Sequence, residues 1–161
     1  MPRKTDSKNP ADWLWIAEDE LDMIGPALAR EISFIACRSK LAEVLEKVLK
    51  AELIRLGWPL EKTHDLEVLL EALSARNPAF AAAAEPLCTV LNEVYFTHRY
   101  PGFDLDDPDW PALHAQVEQV LGCSMLCKRV CPKNERDRSR AHERRHANPR
   151  PREARRPTGG G

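Results

Sequence analysis

Two short segments of the chain place reactive side chains where helices are expected to begin or end. The first, THDL at 63–66, contains His64 and Asp65, and the second, RYPG at 99–102, contains Arg99 and Tyr100. Histidine can exchange a proton near neutral pH, and arginine can hold a phosphate group with two parallel hydrogen bonds. These residue types raise the question of a binding or catalytic site built from two loops.

Helix capping offers a simpler explanation for most of these residues. Thr63 can cap the N-terminus of a helix, and Asp65 in the first turn would interact favourably with the helix dipole. The proline after Tyr100 disfavours helical geometry there, so the preceding helix should end near Arg99, whose charge suits a helix C-terminus. Tyr100 can then pack on the core with its hydroxyl at the rim. Both interpretations stay open, and capping alone leaves His64 unexplained.

The elements that must position these segments are helices. Apolar residues recur at helical spacing over about 11–24, 27–56, 65–76, 79–97 and 110–130. Gly25-Pro26 is expected to end the first helix, and Gly57 the second. Asp109 is a candidate N-cap for the fifth. No segment alternates with a period of two, so we predict an all-α fold, an up-and-down bundle of about five helices.

The second helix, the longest, carries an apolar stripe and two charge pairs. The stripe repeats every seven residues and consists of Leu28, Ile35, Ala42, Leu49 and Leu56. This repeat is typical of a helix-bundle seam. Glu43 with Lys47, and Glu46 with Lys50, are spaced for pairing along one helix. The sequence therefore predicts solvated salt bridges for both lysines, which competes with a role in ligand binding.

Charge is divided unequally along the chain. The net charge is −1 overall, but residues 128–161 contain 12 basic and 4 acidic residues, which gives +8 there and leaves −9 for residues 1–127. From Cys131 onward there is hardly an apolar side chain larger than alanine, so the segment cannot bury enough surface to fold. We predict a flexible N-terminus at 1–10, a helical domain at 11–131 and a disordered Arg/Pro-rich tail at 132–161. The tail would bind RNA without sequence preference, or fold back on the acidic body.

Composition also bears on location and on metal binding. No apolar run has the length of a membrane span, and the N-terminal residues lack the apolar stretch of a signal peptide. Five cysteines at irregular spacing do not indicate a disulfide framework, so a reducing cytoplasm is expected. Cys123, Cys127 and Cys131 share one helical face, but this is not the usual spacing of zinc ligands. We expect an apolar stripe there and no bound metal or cofactor.

Taken in order, these motifs resemble those of the HEPN domain family of prokaryotes. The shared signals are Glu46, Lys47, Lys50 and Ala51 on the long helix, THDL at 63–66 followed by Leu69-Leu70, and RYPG at 99–102. The resemblance covers about residues 11–125 and not the tail. It implies a small up-and-down bundle of about five helices that often pairs as a homodimer.

The resemblance is compatible with two functions. Some family members are metal-independent ribonucleases that act as toxins, with an arginine and a histidine separated by four to six residues near the last core helix. That spacing is absent from the predicted folded body, where Arg99 is followed by no histidine until His114. The matching pairs, Arg136 with His142 and Arg140 with His146, fall in the tail, which offers no rigid scaffold. An RNA-cleaving toxin is therefore the alternative function, and no catalytic residue is assigned.

The branch of the family with HDL and RYP motifs is commonly encoded beside a minimal nucleotidyltransferase. Its members are thought to bind nucleotide or RNA, or to be modified by that partner. Carried over by position, the candidate binding residues are Lys47, Lys50, His64, Asp65, Arg99 and Tyr100. Lysine and arginine would hold phosphate, Tyr100 would stack on a base or accept a modification, and neutral His64 would donate to a phosphate or base edge. The resemblance implies a non-catalytic module that works with the nucleotidyltransferase in a toxin–antitoxin-like pair.

The up-and-down topology also allows the two loops to meet. The start of the third helix and the end of the fourth belong to the same end of such a bundle. If the loops touch, Asp65 should pair with Arg99 and orient it. His64 and Tyr100 would then face the ligand.

Overall fold

The computed structural model describes residues 4–98, 100–105 and 107–131. Within these ranges the chain forms helices and no strand. The helices are α1 (Pro10–Ala29), α2 (Phe34–Arg55), α3 (Leu66–Ser74), α4 (Pro78–Leu91), α5 (Val94–Thr97) and α6 (Trp110–Val130). Five of them have nine residues or more, so the prediction of an all-α bundle of about five helices is confirmed. The tail predicted to be disordered, 132–161, lies outside the described residues.

Helix α2 is the central element of the bundle. All the other helices pack against it, while α3 and α4 also pair with each other. Its fully buried residues include Leu41, Val44, Leu45, Val48, Leu49, Ala51 and Leu53. Because α2 is enclosed on nearly every side, some of its polar side chains must lie inside the protein, and they need partners there. Glu46, Lys50 and Glu52 are in this position.

The first helix does not end at Gly25-Pro26, so that prediction is wrong. Pro26 lies inside α1, with the buried residues Ile24 and Leu28 on either side of it. A proline inside a helix removes one backbone hydrogen bond and crowds the carbonyl of the preceding turn, and core packing of its neighbours can offset that cost. The chain instead turns at residues 30–33, where Glu31 and Ser33 adopt positive φ angles of 51° and 59°.

This turn also corrects the predicted second helix, which begins at Phe34 and not near residue 27. Leu28 therefore belongs to α1, and Ile35 in the first turn of α2 is exposed. The seven-residue stripe runs across two helices, so it is not one continuous seam. Ala42 and Leu49, from the middle of the stripe, do lie in the core.

The predicted fourth helix, 79–97, is two helices. Helix α4 ends at Leu91, and Asn92 and Glu93 separate it from the single turn α5. Pro86 lies in the interior of α4. At the break between α4 and α5, the Asn92 side chain accepts a hydrogen bond from the Leu66 amide at the start of α3.

The last helix agrees with its prediction. Asp109 caps α6 by accepting a hydrogen bond from the Ala112 amide at 2.9 Å. At the other end of the chain, residues 6–9 precede α1 and are bonded to it: the Asp6 amide donates to Asp12, and the Trp13 indole donates to the Ser7 carbonyl. No helix in the described ranges combines the length and the apolar character needed to cross a membrane.

Two side chains satisfy the first amides of α3. Asp65 Oδ1 accepts from the amides of Glu67 at 2.9 Å and Val68 at 3.3 Å, and Asn92 Oδ1 accepts from the Leu66 amide at 3.0 Å. Asp65 is thus the N-cap, which corrects its predicted place in the first turn. Thr63 was the predicted cap, but its hydroxyl accepts from the Asp65 amide at 3.1 Å instead.

We expect Asp65→Ala to lower the free energy of unfolding by about 1 kcal/mol, because two helix amides lose their acceptor. Asn92→Ala should cost about 1–2 kcal/mol, because Leu66 is buried and its amide would lose its partner. Urea unfolding followed by circular dichroism measures both. Thr63→Ala is the matched control and should have a smaller effect than either. A Thr63→Ala loss larger than that of Asp65→Ala would contradict this assignment of the cap.

Candidate functional site

A cleft of about 460 Å³ lies between α1, α2 and the segment that joins α2 to α3. Its lining residues are Trp13 from α1, Glu43, Glu46, Lys47 and Lys50 from α2, and Leu60, Glu61, Lys62 and His64 from the connecting segment. This volume falls in the usual range of small-molecule sites. The structure therefore brings together three of the predicted binding residues, Lys47, Lys50 and His64.

A buried ion pair lies in the cleft. Lys50 Nζ is 2.7 Å from Glu46 Oε1, and the two side chains are 4% and 9% exposed. The ammonium group also lies 5.5 Å from the centre of a Trp13 ring, a distance that allows a cation–π interaction. The predicted pairing of Glu46 with Lys50 is confirmed, but the pair is buried and not solvated, which corrects that part of the prediction.

His64 extends this pair to the surface. Its Nδ1 is 2.9 Å from Glu46 Oε2, and its side chain is 56% exposed. An ionised carboxylate can only accept a hydrogen bond, so Nδ1 carries the hydrogen in this contact. The second nitrogen of a neutral ring would then be an acceptor. For His64 to donate to a phosphate from that nitrogen, as expected from the family resemblance, the ring would have to be protonated.

Lys47 is held by acidic residues of two helices. Its Nζ is 2.8 Å from Glu20 on α1 and 3.9 Å from Glu43, the partner expected from sequence. Lys40 shares both acids, at 2.6 Å from Glu43 and 3.7 Å from Glu20. Burial alone would lower the pKa of Lys40, but its interactions with Glu43 and Glu20 outweigh that effect and raise it. This network joins α1 to α2 along one wall of the cleft.

The remaining predicted residues do not line the cleft. Asp65 caps α3, and Tyr100 is 56% exposed outside the cleft. Arg99 lies outside the described residues, so its pairing with Asp65 stays a prediction. Asn92, between α4 and α5, accepts from Leu66 at the start of α3, so the C-terminal end of α4 contacts the first segment, seven residues before Arg99.

Sequence reasoning missed Trp13 as a site residue. Trp13 lies on the apolar stripe of α1, and that spacing is the same for a tryptophan in the core and for one at the edge of a cleft. The structure shows it half-buried, with its indole N–H bonded to the Ser7 carbonyl at 2.9 Å. No group of three or more His, Cys, Asp or Glu side chains in the described part of the chain is placed to hold a metal ion.

The described residues form a small all-α bundle in which a buried ammonium group and an aromatic ring line one pocket. The family model described as HEPN domain matches residues 11–127. The chain belongs to the HEPN domain family. No curated protein and no solved structure gives a significant match to it.

Proposed function

We propose that this HEPN-domain protein is a non-catalytic binding module whose cleft holds a nucleotide. The observation that carries the proposal is the position of the Lys50 ammonium, buried in the cleft beside Trp13. A phosphate group needs a cation, and a base needs an aromatic face. In this cleft the Lys50 ammonium and the Trp13 ring are close enough for one nucleotide to contact both.

The charges of the cleft define how such a ligand would bind. Three lysines line it, Lys47, Lys50 and Lys62, together with three glutamates and His64. A phosphate must therefore share the Lys50 ammonium with Glu46, or displace that carboxylate. An ammonium group has three N–H donors, so sharing is possible. We expect modest affinity that weakens with salt and depends on stacking against Trp13.

The alternative function, metal-independent RNA cleavage, needs a histidine to move the 2′-hydroxyl proton and an arginine to stabilise the phosphorane charge. In residues 1–131 no arginine is followed by a histidine after four to six residues. The histidine of the cleft, His64, has a glutamate as its partner. These features favour binding over cleavage.

The proposal extends to partners through the family resemblance. The HDL and RYP motifs support a minimal nucleotidyltransferase as the partner in a toxin–antitoxin-like pair in the cytoplasm, and family membership supports a homodimer. Tyr100 is exposed, so a partner enzyme or a base could reach its side chain. The basic residues of the tail at 132–161 would add RNA affinity.

Titration of the full chain with ATP in a calorimeter tests the proposal. Lys50→Met should weaken binding roughly tenfold or more, because a charge-assisted contact is lost. Trp13→Leu should weaken it by a similar factor through lost stacking. Lys128→Met is the matched control: Lys128 is an exposed lysine that pairs with Glu18 away from the cleft, and its replacement should leave affinity unchanged.

Three outcomes would count against nucleotide binding in this cleft. The first is no heat of binding with the wild-type protein, and the second is equal affinity in Lys50→Met and Lys128→Met. The third is cleavage of single-stranded RNA that His64→Ala abolishes, which would favour the ribonuclease alternative. Circular dichroism of each variant establishes that the helices are retained.

A further inference from the structure

Two thiols lie in contact at the C-terminal end of α6. The sulfur atoms of Cys127 and Cys131 are 3.6 Å apart, and both residues are free cysteines. Cys127 is fully buried, whereas Cys131 is half-buried and therefore reachable from solvent. A disulfide bond is about 2.05 Å long, so the sulfurs must approach by roughly 1.5 Å to form one. The apolar stripe predicted from sequence thus contains a pair of thiols in contact.

The backbone at Cys131 can allow that approach. Cys131 is the C-cap of α6, with φ −72° and ψ 134°, and it follows the last helical turn. Its amide still bonds to the Cys127 carbonyl at 3.0 Å, which keeps the two residues aligned. Inside a helix, residues four apart have Cβ atoms about 5–6 Å apart, somewhat too far for a disulfide. An extended residue at the helix end can shift its side chain without breaking the turns before it.

The hydrogen bond between the two cysteines, together with burial, makes the thiols unequal, and charged groups of α2 lie beside them. Glu52 is 1% exposed, accepts from Arg55 at 2.6 Å and 2.8 Å, and lies beside the Cys127 thiol. A hydrogen bond from Cys127 lowers the pKa of Cys131, and the positive charge of Arg55 lowers it further. Burial and the negative charge of Glu52 raise this pKa but are outweighed. The hydrogen bond to Cys131 and burial raise the pKa of Cys127.

We propose that Cys127 and Cys131 form a redox-active pair that a hydroperoxide converts to a disulfide, with Cys131 as the attacking thiol and Cys127 as the resolving thiol. A partly exposed thiol of lowered pKa beside a buried one is the arrangement of redox-sensing cysteine pairs. The proposal stands on the 3.6 Å contact between the two sulfur atoms and is independent of the nucleotide cleft.

The reaction balances with hydrogen peroxide as oxidant. The Cys131 thiolate attacks one peroxide oxygen, the O–O bond breaks, and the departing hydroxide takes up a proton to become water. This leaves a sulfenic acid on Cys131. The Cys127 sulfur then attacks the Cys131 sulfur, the S–O bond breaks, and the hydroxyl group leaves with the Cys127 proton as a second water. The two thiols lose two electrons in total, and the peroxide gains them.

Trypsin offers a direct test, because Lys128 and Arg129 lie between the two cysteines. The reduced full chain is treated with hydrogen peroxide, its remaining thiols are alkylated, and it is digested without reductant. We expect the peptide 100–128 to be linked to the peptide 130–133, with the mass of both less two hydrogens and plus one alkyl group on Cys123. Reduction with dithiothreitol should separate them. Absence of this linked pair from the oxidised wild-type protein would overturn the proposal.

Three serine variants assign the roles. Cys131→Ser should abolish the linkage, and Cys127→Ser should leave a sulfenic acid on Cys131 that dimedone traps. Cys123→Ser is the matched control, since Cys123 is also buried and lies one turn earlier on α6. The linkage should persist in that variant. Loss of the linkage in Cys123→Ser, or dimedone labelling at another cysteine, would show that a different pair reacts.

Discussion

Glu46→Ala is expected to lower the free energy of unfolding by about 3 kcal/mol, because it removes the carboxylate that pairs with the buried Lys50 ammonium. A lysine that is 4% exposed is largely removed from water, so its charge is poorly solvated once the carboxylate is gone. The expected value lies at the lower end for broken buried pairs, since the open cleft gives water a route to the charge. Guanidinium chloride unfolding at pH 7 measures the change.

The double variant Glu46→Leu/Lys50→Met separates stability from binding. It removes both charges and fills the space with apolar side chains, so it should be more stable than Glu46→Ala alone. It should also fail to bind ATP, because the cleft then lacks its buried cation. Such a variant would be a folded protein without the proposed site.

Glu43→Ala provides the matched control for burial. Glu43 also pairs with lysines on the same helix, but those side chains are more exposed than Lys50. We expect a loss of about 0–1 kcal/mol for this variant, as for other partly solvated pairs. If Glu43→Ala and Glu46→Ala lower the free energy of unfolding equally, burial of the Glu46–Lys50 pair is not the reason for the cost of Glu46→Ala. A double variant no more stable than Glu46→Ala would mean that the stranded Lys50 charge is not what destabilises Glu46→Ala.

The helix ends that were predicted well are those set by neighbouring residues. Asp109 caps α6 as expected because a cap acts over two or three residues. The end of α1 was missed because Gly25 and Pro26 are local stop signals, while the packing of Ile24 and Leu28 on the core is not local. The seven-residue stripe continued in register through residues 30–33, so it could not reveal the turn there.

Burial explains what the sequence could and could not predict about the site. The motifs nominated Lys47, Lys50 and His64, and the structure places all three in one cleft. Spacing along α2 also predicted the pairing of Lys50 with Glu46. It could not predict that this pair is buried, because the same spacing occurs in solvated pairs and the burial comes from helices distant in sequence. For the same reason the contact of Glu46 with His64, eighteen positions away, had no signal in the sequence.

Arg55→Ala is expected to lower the free energy of unfolding by about 3–5 kcal/mol at pH 7, because it leaves the carboxylate of Glu52 buried without its cation. Burial by itself raises the pKa of Glu52, but hydrogen bonds from Arg55 and Asn77 outweigh it and lower that pKa in the folded protein. A carboxyl group with a lowered pKa stabilises the fold fully above its ordinary pKa, about 4.3, and loses that contribution as pH falls through the folded value.

The difference between wild type and Arg55→Ala should therefore depend on pH. Without Arg55, burial dominates, so Glu52 takes up a proton at a higher pH and its neutral form tolerates burial better. We expect the difference in free energy of unfolding between wild type and Arg55→Ala to be largest near pH 7 and to decrease as pH falls toward about 4. Urea unfolding at several pH values measures it.

Two further variants connect this pH dependence to the Glu52–Arg55 pair. In a Glu52→Gln background, Arg55→Ala should have a smaller effect that is constant across pH, since no charge remains to be stranded. Arg76→Ala removes an exposed arginine that donates to the Ala72 carbonyl, and its small cost should not vary with pH either. A gap between wild type and Arg55→Ala that stays constant from pH 7 to about 4 would mean that Arg55 stabilises α2 by packing, and not by holding the Glu52 carboxylate in its charged form.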